Sequence, residues 1–184
     1  LPGQASPYSA CSAMAIDPIY VSVPAVEDFQ RAGGVTTMAP ELRARLDGAR
    51  QGAGVRFGDV RHVKESALFL AFECFVEDEW NHRTIRAGDL AGFMSRERWW
   101  LDDYALFQAC AAHWPGGTWR DWPAELARRE PGPLNEARRR LGPRILFEQY
   151  VQWVADQQWR AARVALRAHG VALFGDLPFV VDTH

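Results

Sequence analysis

The chain has 184 residues, of which 48% are hydrophobic and 24% are charged, and its formal net charge is -2 at pH 7. This is the composition of an ordinary globular protein; it excludes a disordered chain and argues against a nucleic-acid partner. The longest apolar stretch, Ala67 to Val76, contains Glu73 and is far shorter than the roughly 20 residues that cross a membrane, so no membrane partner is expected.

The first part of the chain, residues 1–38, is predicted to hold a turn and a short strand. Leu1 to Ser6 has the composition of a loop interior, so the sequence is expected to be a piece of a longer protein. The β-branched and aromatic residues from Ile16 to Val23 predict a strand. Because Pro18 has no N–H for a sheet ladder, this strand is expected to pair irregularly or at a sheet edge. Gly33-Gly34 then ends the unit.

The second part, residues 39–142, is predicted to be helical almost throughout. Pro40 suits the first turn of a helix that runs to about Arg50, because the fixed φ and missing N–H of proline are tolerated there. Glycines and prolines divide the remaining apolar repeats into separate helices. They are a helix capped by Asp59 and running through Phe75, one that starts at Asp89, one from Trp99 to Trp114, and short ones over 124–129 and 134–140.

The third part, residues 143–184, is predicted to be a long helix followed by a buried strand. Pro143 fits the first helical position, the helix runs to about Ala168, and Gly170 ends it. In the strand, Val171 to Val181, one carboxylate, Asp176, interrupts an apolar run. A helix, a glycine and such a strand form half of a βαβ unit, which delivers Asp176 to the carboxyl edge of a parallel sheet. The apolar face of the helix comprises Leu146, Tyr150, Trp153, Val154, Ala161, Val164 and Ala165.

Cysteine and histidine patterns predict neither a metal site nor a disulfide. Cys11, Cys74 and Cys110 lie far apart in the sequence, and the five histidines show no metal-ligand spacing. Reduced, partly buried cysteines are typical of a cytoplasmic protein. We therefore expect a cytoplasmic location and no metal.

Aromatic and acidic side chains leave two interpretations open. The eight tryptophans could stack on sugar rings, but aromatic residues of amphipathic helices are more often part of a core. Glu148, Asp156, Asp102 and Asp103 are interpreted as surface charges, caps or partners of arginines rather than as catalytic groups. Asp176 has apolar neighbours, so its carboxylate needs either a structural ion pair or a function.

Five motifs in a fixed order give the chain a family resemblance that covers nearly its whole length. Together they resemble the 4-α-glucanotransferases, the amylomaltases or disproportionating enzymes of glycoside hydrolase family 77. The motifs are Ser6-Pro7-Tyr8-Ser9 with Asp17-Pro18-Ile19-Tyr20, Leu101 to Phe107, Trp119 to Pro123, Phe147 to Tyr150 with Gln158-Trp159, and Gly175-Asp176-Leu177-Pro178.

The resemblance implies an α/β fold: a partial (β/α)8 TIM barrel, about its first three strands, with a large, mostly α-helical insertion. Residues 1–38 would hold an early barrel strand and active-site loop, 39–142 the helical insertion, and 143–184 a barrel helix and the third barrel strand. The implied activity transfers a segment of α-1,4-glucan to the 4-hydroxyl of an acceptor by a retaining double displacement. The implied substrates are malto-oligosaccharides and starch- or glycogen-like α-glucans, without any cofactor.

The resemblance also implies substrate-binding roles for Ser6, Tyr8 and Asp176. Ser6 and Tyr8 match the family's cleft loop, and Asp176 matches the aspartate that orients the sugar at the end of the third barrel strand. The nucleophile, the acid/base glutamate and the third carboxylate are expected downstream of His184, so no catalytic residue is assigned and residues 1–184 alone are expected to be inactive. The chain departs from the family at Asp182-Thr183-His184, where many members have Ala-His-Asp.

Two other functions fit parts of the sequence. One is an α-glucan hydrolase built on the same barrel, which would differ in its acceptor subsites. The other is a non-catalytic helical module that binds glucan or a protein partner. This second function fits less well, because Val171 to Val181 has the pattern of a strand that needs parallel neighbours.

Overall fold

The structure, a computed structural model, describes residues 11–175. Within that range, all regular secondary structure is helical. The α-helices are α1 (Glu27–Arg31), α2 (Pro40–Gln51), α3 (Phe57–Phe75), α4 (Ile85–His113), α5 (Ala124–Ala127), α6 (Pro131–Arg140) and α7 (Gly142–Ala168). A π-helical turn, Val76–Trp80, continues α3, and 3-10 turns cover Pro18–Tyr20, Val23–Ala25, Gly34–Thr37 and Trp119–Asp121.

The helix boundaries set by Pro40, Pro143 and Gly170 agree with the predictions, whereas the helix predicted over 134–140 begins earlier, because Pro131 to Pro133 form the first turn of α6. Pro40 begins α2, and Pro143 lies in the first turn of α7. After α7 the chain reaches Gly170, which has a φ of +70°; this left-handed conformation suits glycine because it has no Cβ. The predicted bounds of α2 and α7 are therefore confirmed to within one residue.

Elsewhere the helix predictions need correction. The helices predicted from Asp89 and from Trp99 are one helix, α4, whose N-terminus is capped by the Thr84 hydroxyl accepting from the Ala87 N–H. No glycine or proline separates Met94 from Trp99, so nothing interrupts the helical hydrogen bonds. Asp59 is not a cap: α3 begins at Phe57, and the Asp59 carboxylate pairs with Arg45 and Arg56.

The strand predicted from Ile16 to Val23 is wrong. Its residues are extended or in 3-10 turns, and residues 11–175 contain no strand with which they could pair. Pro18 begins the first turn, where its missing N–H costs no hydrogen bond. In the strand predicted from Val171 to Val181, the described part, 171–175, has no regular structure. The remainder of that strand lies outside the described residues, so the described part of the chain includes no barrel strand.

The main core lies between α3, α4, α7 and the segment from Val21 to Met38. Its centre is a chain of tilted and edge-on aromatic contacts between α3 and α7, with ring centroids 5.0–5.6 Å apart. Such geometries stabilise aromatic pairs beyond the area they bury. The rings belong to Phe69, Phe72, Phe75, Phe147, Tyr150 and Trp153.

A smaller core joins the second half of α4 to α5, α6 and the start of α7. Trp114 and Trp122 pack against it, with ring centroids 6.0 Å apart. Together with Trp153 in the main core, they support the interpretation that most tryptophans here are core residues. Trp99 and Trp159 are exposed.

The long helix α7 is covered along only half of its length. Phe147 to Ala155 is buried, whereas the predicted apolar face continues through Ala161, Val164 and Ala165, which are exposed. Val164 is 68% exposed and Phe174, beyond the helix, is fully exposed. The apolar face of α7 therefore extends past the core that the described residues build.

One buried carboxylate links three helices through charged hydrogen bonds. Asp28 of α1 is 1% exposed. Its two oxygens accept from Arg86 of α4 at 2.6 and 2.9 Å, and Oδ2 also accepts from the Tyr150 hydroxyl of α7 at 2.7 Å. The Arg86 guanidinium lies over the rings of Phe75 and Trp153, 5.5 and 5.8 Å from their centroids. Such a charge is tolerable in a core only because its partners satisfy it.

Removing a partner of Asp28 should lower the free energy of unfolding, and the loss should be larger when that partner carries a charge. We expect Tyr150→Phe to lower the free energy of unfolding by about 1–3 kcal/mol, the usual cost of an unmet buried hydrogen bond. Arg86→Met should cost about 3–5 kcal/mol, because it leaves a buried carboxylate without its cation. Urea unfolding followed by circular dichroism measures both. The control is Tyr104→Phe, whose hydroxyl has only a 3.5 Å contact with Gln152; equal losses for both tyrosines would contradict the assignment.

Glu79, on the π-helical turn, should make stability depend on acid pH. Hydrogen bonds from the Thr84 hydroxyl and then from Arg31 and Arg86 hold the pKa of its carboxyl at about 2. Its unfolded value is about 4.3, so the ionised form stabilises the fold above that pH and the contribution is lost as the pH falls from about 4 to 2. We expect the stability difference between wild type and Glu79→Gln to shrink over this range. Glu77→Gln, at an exposed position of the same turn, is the matched control.

Candidate functional site

None of the three predicted substrate-binding residues can be placed by the structure. Ser6, Tyr8 and Asp176 all lie outside the described residues. The structure does describe the segment that follows the Ser-Pro-Tyr motif, beginning three positions after Tyr8. This segment, Cys11 to Ser22, is called the anchored segment below because side chains of α3 and α7 hold its backbone.

Two glutamines of α7 each hold one residue of the anchored segment by both of its backbone groups. Gln152 Oε1 accepts from the Ile16 N–H and its Nε2 donates to the Ile16 carbonyl, both at 2.9 Å. Gln158 repeats the arrangement on Ser22, at 2.8 and 3.0 Å. A side-chain amide thus makes the paired hydrogen bonds that a neighbouring residue would make in an antiparallel sheet.

The spacing of the two contacts follows from local structure. Six residues of α-helix rise about 9 Å, and the two glutamines are six positions apart. Ile16 and Ser22 are also six positions apart, but a fully extended chain of that length would span about twice the distance. The 3-10 turn Pro18–Tyr20 shortens the path between them. Pro18 disfavours a strand because it has no N–H. In the 3-10 turn it helps to shorten the path from Ile16 to Ser22, so that both residues reach their glutamines on α7.

Helix α3 holds the middle of the anchored segment with two cations. Arg61 donates to both carboxylate oxygens of Asp17, at 2.8 and 2.6 Å, and Asp17 also accepts from the Ile19 N–H. Burial opposes ionisation of Asp17, but these hydrogen bonds outweigh it and lower the pKa of the carboxyl. Lys64 donates to the carbonyls of Ile19 and Val21, at 2.6 and 2.7 Å. Burial lowers the pKa of Lys64, against an opposing effect of Asp17.

The start of the anchored segment lies against α4. Gln108 Nε2 is 3.6 Å from the Cys11 sulfur. The Ser12 hydroxyl accepts from the N–H groups of Met14 and Ala15, both at 3.1 Å, which closes a local turn. Desolvation raises the pKa of the Cys11 thiol, although the residue itself is exposed.

Three of the four acidic residues that the sequence interpretation named, Glu148, Asp156 and Asp103, form ion pairs with arginines. Glu148 accepts from Arg144 at 2.8 Å, and burial raises the pKa of its carboxyl despite that arginine. Asp156 pairs with Arg160 at 2.7 Å, and Asp103 with Arg129 at 2.7 Å. The interpretation of these three carboxylates as partners of arginines is confirmed.

The sequence motifs do not identify the side chains that hold the segment. Gln158 belongs to one of the motifs, whereas Gln152, Arg61 and Lys64 belong to none. One signal was available for Gln152: a long polar residue lies within the apolar half of α7, between Val151 and Trp153. A buried amide needs hydrogen-bond partners, but the sequence does not say where they are.

Residues 11–175 contain no group of three or more His, Cys, Asp or Glu side chains that could hold a metal ion. Over the same range, no helix is both long and apolar enough to cross a membrane.

Comparison with known proteins extends the similarity over the whole chain. The sequence model of the 4-alpha-glucanotransferase family matches residues 1–184. The 4-alpha-glucanotransferase of Thermus thermophilus is 33% identical over 176 residues, which are 96% of this chain and 32% of that protein. That of a Synechocystis species is 30% identical over 178 residues, 96% of this chain and 33% of that protein. The chain thus spans about a third of the length of these relatives.

A solved structure gives the same result for the fold. The amylomaltase of Streptococcus agalactiae, in complex with acarbose, superposes with a TM-score of 0.72 over 96% of this chain and 33% of that protein, at 23% sequence identity. The helical arrangement described above therefore occurs within a known amylomaltase. Since the family model covers every residue, the chain belongs to the 4-alpha-glucanotransferase family, glycoside hydrolase family 77.

Proposed function

We propose that the complete protein carrying this chain is a 4-α-glucanotransferase. It moves a segment of an α-1,4-glucan from a donor to the 4-hydroxyl of an acceptor glucose or glucan, in the cytoplasm. The observation that carries the proposal is the family match over residues 1–184. The similar amylomaltase from Streptococcus agalactiae was solved with acarbose bound, which supports an oligosaccharide substrate.

Chemistry by a retaining double displacement needs two carboxyl groups about 5–5.5 Å apart, one as nucleophile and one as acid and then base. The carboxylates described above for the helices are engaged with arginines instead. We therefore assign no catalytic residue to residues 1–184, and the catalytic carboxylates belong to the remaining two thirds of the family length. A sugar hydroxyl held by acceptor subsites then intercepts the glycosyl-enzyme before water does.

Substrate binding is the role we assign to this chain. Ser6 and Tyr8 contact the glucan through the hydroxyl and the ring, and the carboxylate of Asp176 hydrogen-bonds the sugar near the cleavage point. The anchored segment supports this assignment, because a chain held at Cys11, Ile16 and Ser22 gives the nearby Ser-Pro-Tyr motif a fixed base.

The fold proposed for the complete protein is a (β/α)8 barrel, to which this chain contributes residues from its first and third parts. Residues 1–38 include the active-site loop, 39–142 form the helical insertion, and 143–184 contribute a barrel helix and the third strand. Two observations support the assignment of residues 143–184 to a barrel helix and strand. The second half of α7 is exposed in the described residues, and the apolar chain from Val171 to Phe174 that follows it is exposed as well.

Residues 1–184 alone should have no transferase activity, because the catalytic carboxylates lie elsewhere. The purified chain is incubated with maltotriose, and the products are separated by chromatography; we expect no shorter or longer oligosaccharides. The complete protein is the positive control and should form both glucose and longer maltodextrins. Release of glucose without longer products would identify the complete protein as a hydrolase, and disproportionation by residues 1–184 would show that our placement of the catalytic groups is wrong.

Asp176→Ala in the complete protein should lower kcat/KM about 10- to 150-fold, the equivalent of one or more hydrogen bonds to a charged group. The measurement is initial-rate kinetics with maltotriose. Asp156→Ala removes an aspartate from the surface of α7 that pairs with Arg160, and it should leave the rate nearly unchanged. If both variants keep wild-type rates, the Asp176 carboxylate has no role in substrate binding.

A further inference from the structure

We propose that a cavity between α4, α5 and α6 binds a short stretch of an α-glucan chain. Its volume is about 320 Å³, which lies within the range of about 300–1,000 Å³ that is typical of small-molecule sites. The class of ligand rests on the proposed function, whereas the cavity is built from described residues alone. Its lining combines three aromatic side chains with one ion pair: Phe107, Trp119, Trp122, Asp103 and Arg129.

The aromatic side chains form an apolar wall of the cavity. Phe107 of α4 and Trp122 have their ring centroids 5.3 Å apart, and Trp119 lies in the 3-10 turn just before Trp122. All three side chains are half-buried, so each ring keeps part of its surface accessible. Leu106 and Leu126 also line the cavity, and both are buried in the smaller core. Such a wall offers the flat apolar surface on which the C–H face of a glucose ring can pack.

The turn that carries Trp119 is already fixed in the described structure. The Thr118 hydroxyl accepts from the Arg120 N–H at 3.3 Å, and the Asp121 carboxylate accepts from the Thr118 N–H at 2.8 Å. Gly117 approaches Asp121 so closely that a Cβ at this position would lie 2.8 Å from its carboxylate oxygen. A site that is ordered before the ligand arrives loses less conformational freedom on binding.

The polar part of the cavity is an ion pair on its solvent-exposed side. Arg129 Nη2 donates to Asp103 Oδ2 at 2.7 Å, and the two side chains are 61% and 53% exposed. Arg138 Nη2 lies 3.8 Å from the other oxygen, Asp103 Oδ1. A carboxylate accepts several hydrogen bonds and a guanidinium has five N–H donors, so the pair can also bind the hydroxyl groups of a ligand.

Arg129 occupies a position where an arginine is strained. Its φ is +59°, at the end of α5, where glycine is the usual residue. The Arg129 N–H donates to the Leu126 carbonyl and the Glu130 N–H to the Glu125 carbonyl, both at 2.9 Å, which is the hydrogen-bond pattern of that kind of helix end. An exposed ion pair adds little stability, so stability alone does not account for an arginine here. Strain of this kind is typical of positions that serve a function.

The charges of the cavity favour a neutral ligand that both donates and accepts hydrogen bonds. Asp103 repels an anion and Arg129 repels a cation. A purely apolar ligand would displace water from both groups without replacing the hydrogen bonds of that water. A glucose unit has hydroxyl groups, which donate and accept, around a ring with apolar C–H faces. Among ligands of this kind, α-glucans are the ones that the proposed function brings to the protein.

Hydrogen exchange of the complete protein, with and without maltoheptaose, locates the binding. Transfer between maltoheptaose molecules changes their lengths but keeps α-1,4-glucan present throughout. We expect peptides within 103–134 to exchange more slowly with the glucan. Arg129→Gln should abolish this protection and weaken binding at the cavity at least about tenfold, because a hydrogen bond to a charged group is lost. Arg128→Gln makes the same change at the neighbouring arginine, which pairs with Glu130, and should keep the protection.

Arg129→Gly separates binding from stability. Glycine adopts a φ of +59° without strain, so the thermal unfolding temperature should stay the same or rise while the protection over 103–134 is lost. Trp119→Ala should also lose the protection, whereas Trp99→Ala, which removes an exposed tryptophan elsewhere on α4, should keep it. A lower unfolding temperature for Arg129→Gly with intact protection would show that Arg129 is structural and that the proposal is wrong.

Chromatography of the same maltoheptaose incubation tests the proposed function separately. If shorter and longer maltodextrins form but peptides within 103–134 gain no protection, the cavity does not bind glucan and the proposed function stands. If Arg129→Gln and Trp119→Ala both keep the protection, it is transmitted from glucan bound elsewhere, and the cavity proposal is again wrong. If the protection depends on Arg129 but no other maltodextrins form, the cavity binds glucan and the proposed function is wrong.

Discussion

The buried carboxylate of Asp28 is the constraint on which the described fold depends. It accepts from Arg86 and Tyr150, so a single group joins α1 to α4 and α7, elements 58 and 122 positions away along the chain. A charge that is 1% exposed has almost no solvent to stabilise it, and among residues 11–175 these hydrogen bonds compensate for the loss of hydration. Any arrangement of the three helices that moves Arg86 or Tyr150 away from Asp28 is therefore strongly disfavoured. Apolar contacts alone would tolerate small sliding of one helix along another.

The same constraint reaches the anchored segment through α7. Tyr150, which donates to Asp28, and Gln152, which holds Ile16, lie within one turn of each other. A helix that is hydrogen-bonded throughout moves as a unit. The hydrogen bond from Tyr150 to Asp28 therefore also fixes where Gln152 and Gln158 lie relative to the anchored segment. The polar cluster in the core and the amide contacts at the segment are thus two parts of one arrangement. Burial of aromatic rings between α3 and α7 adds stability. It fixes the position of one helix along the other less tightly than the hydrogen bonds to Asp28 do.

Particular residues show where sequence reasoning succeeds in this chain and where it stops. Pro40, Pro143 and Gly170 act through local backbone conformation, so the bounds of α2 and α7 could be predicted. The family could be identified because its motifs keep their order. The strand from Ile16 failed because β-branched residues favour an extended backbone whether its partner is a strand or a side chain. The actual partner, Gln152, lies 136 positions away, and nothing local in the sequence reports such a pairing. Ser6, Tyr8 and Asp176 remain predictions.

Holding a loop by side-chain amides has consequences that a sheet would not have. A strand ladder uses backbone groups, so it survives nearly any substitution that keeps the strand extended. The contacts at Ile16 and Ser22 each depend on the identity of one residue of α7, and a change at either position alters the loop without disturbing a ladder. Gln158 is only partly buried, so it can be replaced at small cost to the core, whereas Gln152 cannot. Within one fold, position 158 is therefore the place where the geometry of the anchored segment can change most easily.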